Sequence, residues 1–195
     1  MNRVKGPDMN RMPAVAVMIA MGLGAPHACH AEALLGISLG QPLQLPQCDE
    51  RQGEYLPDDR TACFKLPAGP AEDGSLPANG QAVVNVALPD RPDYMSGSDA
   101  VVQLKDGRVV SVSVRTHGPA RDSRDFAALQ DAFGRAEPRH VSTTQPVQTY
   151  TSMRADWNRP DGETVYFDSA EFGSYYGLVR IQTPQAPAHR PGVWD

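Results

Sequence analysis

The sequence predicts an α+β fold: an antiparallel sheet of about five or six strands with one covering helix, preceded by a disulfide-stapled N-terminal segment. Three observations predict it. Residues 100–104 (AVVQL) and 108–116 (RVVSVSVRT) are β-branched runs separated by little more than Asp106 and Gly107, a strong hairpin signal. Residues 123–133 (SRDFAALQDAF) place Phe126, Leu129 and Phe133 on one helical stripe. Further alternating segments follow that helix.

The chain opens on Arg3, Lys5 and Arg11, followed by an apolar run over residues 12–23 (MPAVAVMIAMGL) and then small residues at Ala28, Ala31 and Ala33. A basic start, a short apolar stretch and a small-residue exit are the parts of a secretory signal peptide. The run is too short for a membrane-spanning helix, which needs roughly 20 residues. Cleavage is expected near Ala31 or Ala33, and a second Met-Asn-Arg at residues 9–11 offers a later translation start. Cys29 sits where a lipidated cysteine would, but Pro26 stands three positions earlier, where lipoproteins carry Leu or a similar residue. The expected location is the periplasm or the exterior.

Cleavage after Ala31 removes three of 18 basic and one of 23 acidic residues, leaving a net charge near −7. An acidic domain repels phosphate backbones and anionic lipid, so nucleic acid is not an expected partner. No transmembrane segment is expected in the mature chain. Cys48 and Cys63 are then the remaining cysteines, and in an oxidising compartment they read as one disulfide. Two free thiols or half of a metal site are the alternatives, but no His lies beside the pair and the spacing is not that of a zinc motif.

The mature chain divides into a disulfide loop and linker over residues 34–80, an α+β domain over 81–183 and a flexible tail over 184–195. Residues 34–46 are apolar but interrupted by Gly36, Gly40, Pro42 and Pro46, which suits an extended segment or short helical turn packed on the core. Residues 67–80 are rich in Pro, Gly and Ala and predict a loop. Residues 82–88 (AVVNVAL) predict a strand with Val84, Val86 and Leu88 on one side. In the hairpin that follows, Val110, Val112 and Val114 are expected to share a buried face.

Asp122 or Ser123 is expected to cap the helix, and Gly134 to stop it. Residues 151–157 then alternate Met153, Ala155 and Trp157 inward; Arg159, Pro160, Asp161 and Gly162 form a turn; and Val165 and Phe167 face inward on the return. A last strand over residues 177–183 carries Val179 and Ile181 inward. No internal repeat is evident.

The residues offer no recognisable reaction centre. His117 ends a strand without a partner at telling spacing, Asp122 and Asp125 being accounted for by the helix start. His140 falls in a connector and His189 in the tail. No nucleophile elbow, zinc-protease helix or phosphate loop occurs. Asp156, Asp161, Glu163, Asp168 and Glu171 crowd the last hairpin, where two converging carboxylates would suit a carboxylate-dependent hydrolase. Asp90, Asp93 and Asp99 suggest calcium, but without the spacing of a helix–loop–helix calcium motif. No cofactor or metal is therefore expected.

Two Tyr-bearing loops are candidate contact surfaces: Tyr94 with Ser96, and Tyr175 with Tyr176. Ser96, Gly97 and Ser98 resemble the inhibitory loop of periplasmic lysozyme inhibitors; the likeness covers these few residues. The leading expectation is a non-catalytic exported domain that binds an envelope protein or a small ligand. An inhibitor or immunity protein blocking an envelope-acting enzyme such as a lysozyme is the sharper alternative, and a carboxylate-dependent hydrolase the second.

Overall fold

The computed structural model describes residues 35–48, 60–65, 75–144, 149–171, 173 and 175–188. The expected signal peptide, Cys29, the acidic stretch inside the disulfide loop and His189 lie outside the described residues. No helix among the described residues is long and apolar enough to cross a membrane.

Among the described residues, eight strands form one antiparallel sheet: β1 (Cys63–Lys65), β2 (Gly80–Asn85), β3 (Asp99–Lys105), β4 (Arg108–Thr116), β5 (Arg139–Thr144), β6 (Thr149–Asn158), β7 (Thr164–Asp168) and β8 (Gly177–Gln182). The single α-helix among the described residues, α1 (Asp122–Phe133), lies between β4 and β5 in the chain. The sheet order is β1-β2-β3-β4-β8-β7-β6-β5. Two four-stranded meanders therefore lie side by side, each contributing its last strand to the central seam. This repetition of topology has no counterpart in residue pattern.

The sheet is larger than the five or six strands expected, and the two additions have physical reasons. β1 is three residues long and is anchored by its neighbours, since Phe64 N–H donates to Pro46 O and Cys48 N–H to Phe64 O, both at 2.9 Å. β5 (RHVSTT) is a polar edge strand, with no alternation to announce it, and pairs with β6 from Arg139↔Arg154 to Thr144↔Thr149. His140 accordingly lies in a strand, not a connector. The Cys48–Cys63 disulfide is formed, closing a separation of 15 residues and tying the N-terminal segment to β1.

Strand parity separates an apolar face from a polar one. Val84, Val102, Val112, Val114, Val179, Ile181, Val165, Phe167, Ala155 and Trp157 form the core. Two covers close it. From α1, Phe126 packs on Trp157 and Phe167 at centroid separations of 6.0 and 6.4 Å, and Trp157 Nε1–H donates to Gly134 O at 2.8 Å. From the N-terminal segment, Leu35, Ile37, Leu39, Leu43 and Leu45 pack on the core. That segment is hydrogen-bonded to β4 through Gly40 and Gln41 and reaches β1 at Pro46.

Three local expectations are corrected. The register slips between Gln103 and Leu104, a bulge that pairs Leu104 with Val109 and leaves Val110 as the extra residue, outside the regular alternation with Val112 and Val114. Leu88 leaves the strand for a 3₁₀ turn (Leu88–Asp90) and is 61% exposed, not inward. The helix has Arg121 at its N-cap with no side-chain cap; Asp122 instead accepts from the Ser123 N–H within the first turn. The Asp106-Gly107 hairpin and the Gly134 stop form as expected. The start of the tail, expected to fray, turns back: Ala186 N–H donates to Thr183 O, and Arg180 reaches Pro187 O at 3.3 Å.

Replacing both Cys48 and Cys63 with Ser should lower stability by on the order of 3 kcal/mol, because the cross-link restricts the unfolded chain. Urea unfolding of the oxidised protein and the double variant measures this; equal midpoints would show the staple to be energetically idle.

Candidate functional site

The β4–β8 register, Val114↔Val179 through Thr116↔Gly177, brings the C-terminal end of β4 beside the N-terminal end of β8. The β2–β3 register puts Asn85 across from Asp99 at that same end. The loops over residues 86–98, 117–121 and 169–176 therefore emerge together. Leu88, Tyr175 (77% exposed) and Tyr176 (42%) are the exposed large hydrophobics among the described residues, and all three lie in these loops.

The two Tyr loops of the sequence behave differently. Residues 91–96 fold back on the sheet: Arg91 Nε–H donates to Val86 O, Met95 N–H to Pro92 O and Ser96 N–H to Arg115 O at 2.7 Å. This drives Tyr94 into the core, 1% exposed, so it is not a contact residue. Its hydroxyl has no hydrogen-bond partner among the described residues, and burial pushes its pKa up. Ser96 remains at the surface, in the wall of a cleft of about 380 Å³. Val83 and Val101, cross-strand neighbours on the polar face, floor this cleft; Ser96, Gly97, Ser98, Asp99 and Arg115 surround it. The Arg115 guanidinium lies over the Tyr176 ring, 5.6 Å from its centroid. Arg115, which sequence reading did not single out, thus links both loops.

Close approach fixes the Tyr175 segment. A Cβ on Gly118 would collide with the Tyr175 carbonyl, and Gly118 also has φ +79°, a conformation side chains rarely adopt. A Cβ on Gly177 would collide with Asp168 O and Thr116 Oγ1. Only glycine permits this spacing.

His117 has the acidic partner that sequence reading denied it. Asp125, fully buried in α1, accepts from the His117 N–H at 2.8 Å and from its Nδ1–H at 2.9 Å. Asp125 therefore ties the helix to the end of β4 as well as occupying a first-turn position. The bond fixes the ring with Nε2 away from the carboxylate, and the side chain stays 24% exposed. An acid eight residues along, across a strand-to-helix turn, was the overlooked signal.

Of the carboxylates offered for hydrolysis, Asp156 and Glu163 do not converge. Asp156 pairs across strands with Tyr166, whereas Glu163 follows the parity of core-facing Val165; the two lie on opposite faces. Asp156 pairs with Arg139, Glu163 with Arg159 at 3.6 Å, and buried Asp168 with Arg154 at 2.5 Å. Asp168 also accepts from Tyr166 OH and Ala170 N–H. Burial, then the charges of Asp168 and Glu171, push the Tyr166 hydroxyl up. The aspartates considered for calcium also separate: Asp93 faces Arg124 and Asp99 faces Lys65. No group of three metal-ligating side chains occurs among the described residues.

Searches against protein-family models, curated proteins and solved structures find no match to this chain.

Replacing Asp125 with Asn should cost about 2–3 kcal/mol, because an amide cannot accept from both donors as the carboxylate does. Chemical denaturation would measure the loss, and an unchanged midpoint would refute the tie between helix and strand. Burial, followed by Asp161, raises the Glu163 pKa, with Arg159 opposing. The folded state consequently holds that proton more tightly than the unfolded chain. The resulting stabilisation is complete below the unfolded value and lost as pH rises through the folded one. Glu163→Gln should flatten stability over this interval; thermal melts at a series of pH values that superimpose with wild type would contradict it.

Proposed function

We propose that this chain is a non-catalytic, exported recognition domain that binds another envelope protein through the sheet end carrying Leu88, Tyr175 and Tyr176. The observation that carries the reading is the confinement of the exposed large hydrophobics among the described residues to that end. Tyrosine supplies large contact area with few rotors, and clustered exposed apolar groups mark interaction surfaces. The basic leader and the disulfide support export. An acidic domain with such a patch suits a basic partner, and inhibition of an envelope-acting enzyme such as a lysozyme is the specific form proposed.

Recovery from periplasmic extract on immobilised protein tests this. A specific partner should be captured by wild type and reduced at least about tenfold by Tyr175→Ala/Tyr176→Ala, with a smaller loss for Leu88→Ser. Equal recovery of every partner by all three proteins would end the reading.

A further inference from the structure

We infer that this chain pairs with a second copy of itself along the open edge of β5, joining two eight-stranded sheets into one. The inference goes beyond the recognition reading and depends on a different part of the sheet. Its geometry begins in β6. Met153 N–H donates to Ser169 Oγ at 2.8 Å, and Met153 O accepts from Ser169 N–H at 2.9 Å, so the peptide groups of Met153 point toward β7. An antiparallel ladder alternates hydrogen-bonded pairs with non-hydrogen-bonded ones. His140, which pairs with Met153, therefore belongs to a non-hydrogen-bonded pair, as do Ser142 and Thr144 further along. The N–H and C=O groups of these three residues point out of the sheet edge, and all three residues are exposed.

Such a row is a template for another strand, and proteins blunt it with a bulge, a proline, a charge or a cover. Between His140 and Thr144 none of these stands in the way. The register with β6 is unbroken, and the residues are His, Val, Ser, Thr and Thr. Arg139 places its charge only at the start of the strand, and Asp156 pairs with it there. The opposite edge is closed by contrast: β1 has three residues and is bridged by Gln47.

The residue pattern selects a copy of β5 as the occupant. Across a two-fold axis at Ser142, His140 of one copy faces Thr144 of the other, and Ser142 faces Ser142. Every outward donor and acceptor of the three residues then finds a partner. Val141 lies beside Thr143 of the other copy, a β-branched pair suited to a pleated surface. The two Arg139 side chains stand at opposite ends of the ladder, so no like charges meet. A slip of two residues either way sets Pro138 or Pro146, neither with an N–H, against an outward group. Complementarity of a surface to itself about one axis is what a two-fold dimer contact requires.

Sedimentation velocity of the purified protein, from micromolar to near-millimolar concentration, tests the pairing. The mass should rise from one chain toward two. Ser142→Lys and Ser142→Asp each oppose like charges at the axis and should weaken dimerisation about fivefold or more, and an equimolar mixture of the two should restore it. Both substitutions give up only the exposed contact of the Ser142 hydroxyl with Thr151, and thermal melts verify that the variants fold. Wild type that stays monomeric at every concentration would leave the edge to a strand of another protein and overturn the inference. Dimers indifferent to both substitutions, or a mixture no tighter than its components, would equally overturn it.

Discussion

The antiparallel pairing of β4 with β8 joins the two halves of this molecule, from Ser111↔Gln182 to Thr116↔Gly177. Closing a loop of that length costs conformational entropy, although the cost grows only slowly with length. Burial of Val112, Val114, Val179 and Ile181 on one face of the seam offsets it. Without the seam each meander would expose a long β-branched edge, a template for unwanted pairing. With it, the remaining edges are the short β1 and the polar β5. The bridge between Gln47 and Phe64 covers β1 in part, and Arg139 places charge on β5.

The seam also sets the register of the opposite face. Arg180, on β8, is buried and donates to Gln103 Oε1 and Pro187 O. Asp168, on β7, is fully buried and accepts from Arg154, Tyr166 and Ala170. A slip of one residue would point Arg180 and Asp168 into the apolar core and expel Val179 and Phe167, so alternate registers are strongly disfavoured. The polar face therefore contributes specificity of pairing, while the apolar face supplies the drive to fold.

Legibility from sequence followed the same division. β3, β4, β6, β7, β8 and the helix were readable because each alternates or repeats with a buried face, and the turns at Asp106-Gly107 and Asp161-Gly162 punctuate them. β1 was hidden because its three residues are held by hydrogen bonds with Pro46 and Cys48, neither of which is local to it. β5 was hidden because an exposed edge needs no apolar alternation. Within the site, Tyr94 and Tyr175 are chemically identical residues with opposite fates. Hydrogen bonds from the Arg91 side chain and the Met95 and Ser96 backbone bury the first, and no pattern of residue types encodes those bonds. His117–Asp125 and Arg115–Tyr176 depend on how β4, β8 and α1 meet, a tertiary relation beyond the reach of spacing alone.

The rigidity of the sheet end suits the recognition proposed for it. Binding is weakened by whatever conformational freedom it removes, so a surface already held still loses less. Gly118 lets β4 close against the Tyr175 carbonyl, and Gly177 packs on the backbone of the β7–β8 turn. Asp125 fastens β4 to the helix through two hydrogen bonds from His117, and the Arg115 guanidinium lies over the Tyr176 ring. Each constraint acts at the neck of a loop, while Tyr175 and Tyr176 stay exposed. Exposed aromatic rings are thus carried on a backbone whose position the core determines, which is the arrangement that turns apolar exposure from a liability into a specific contact.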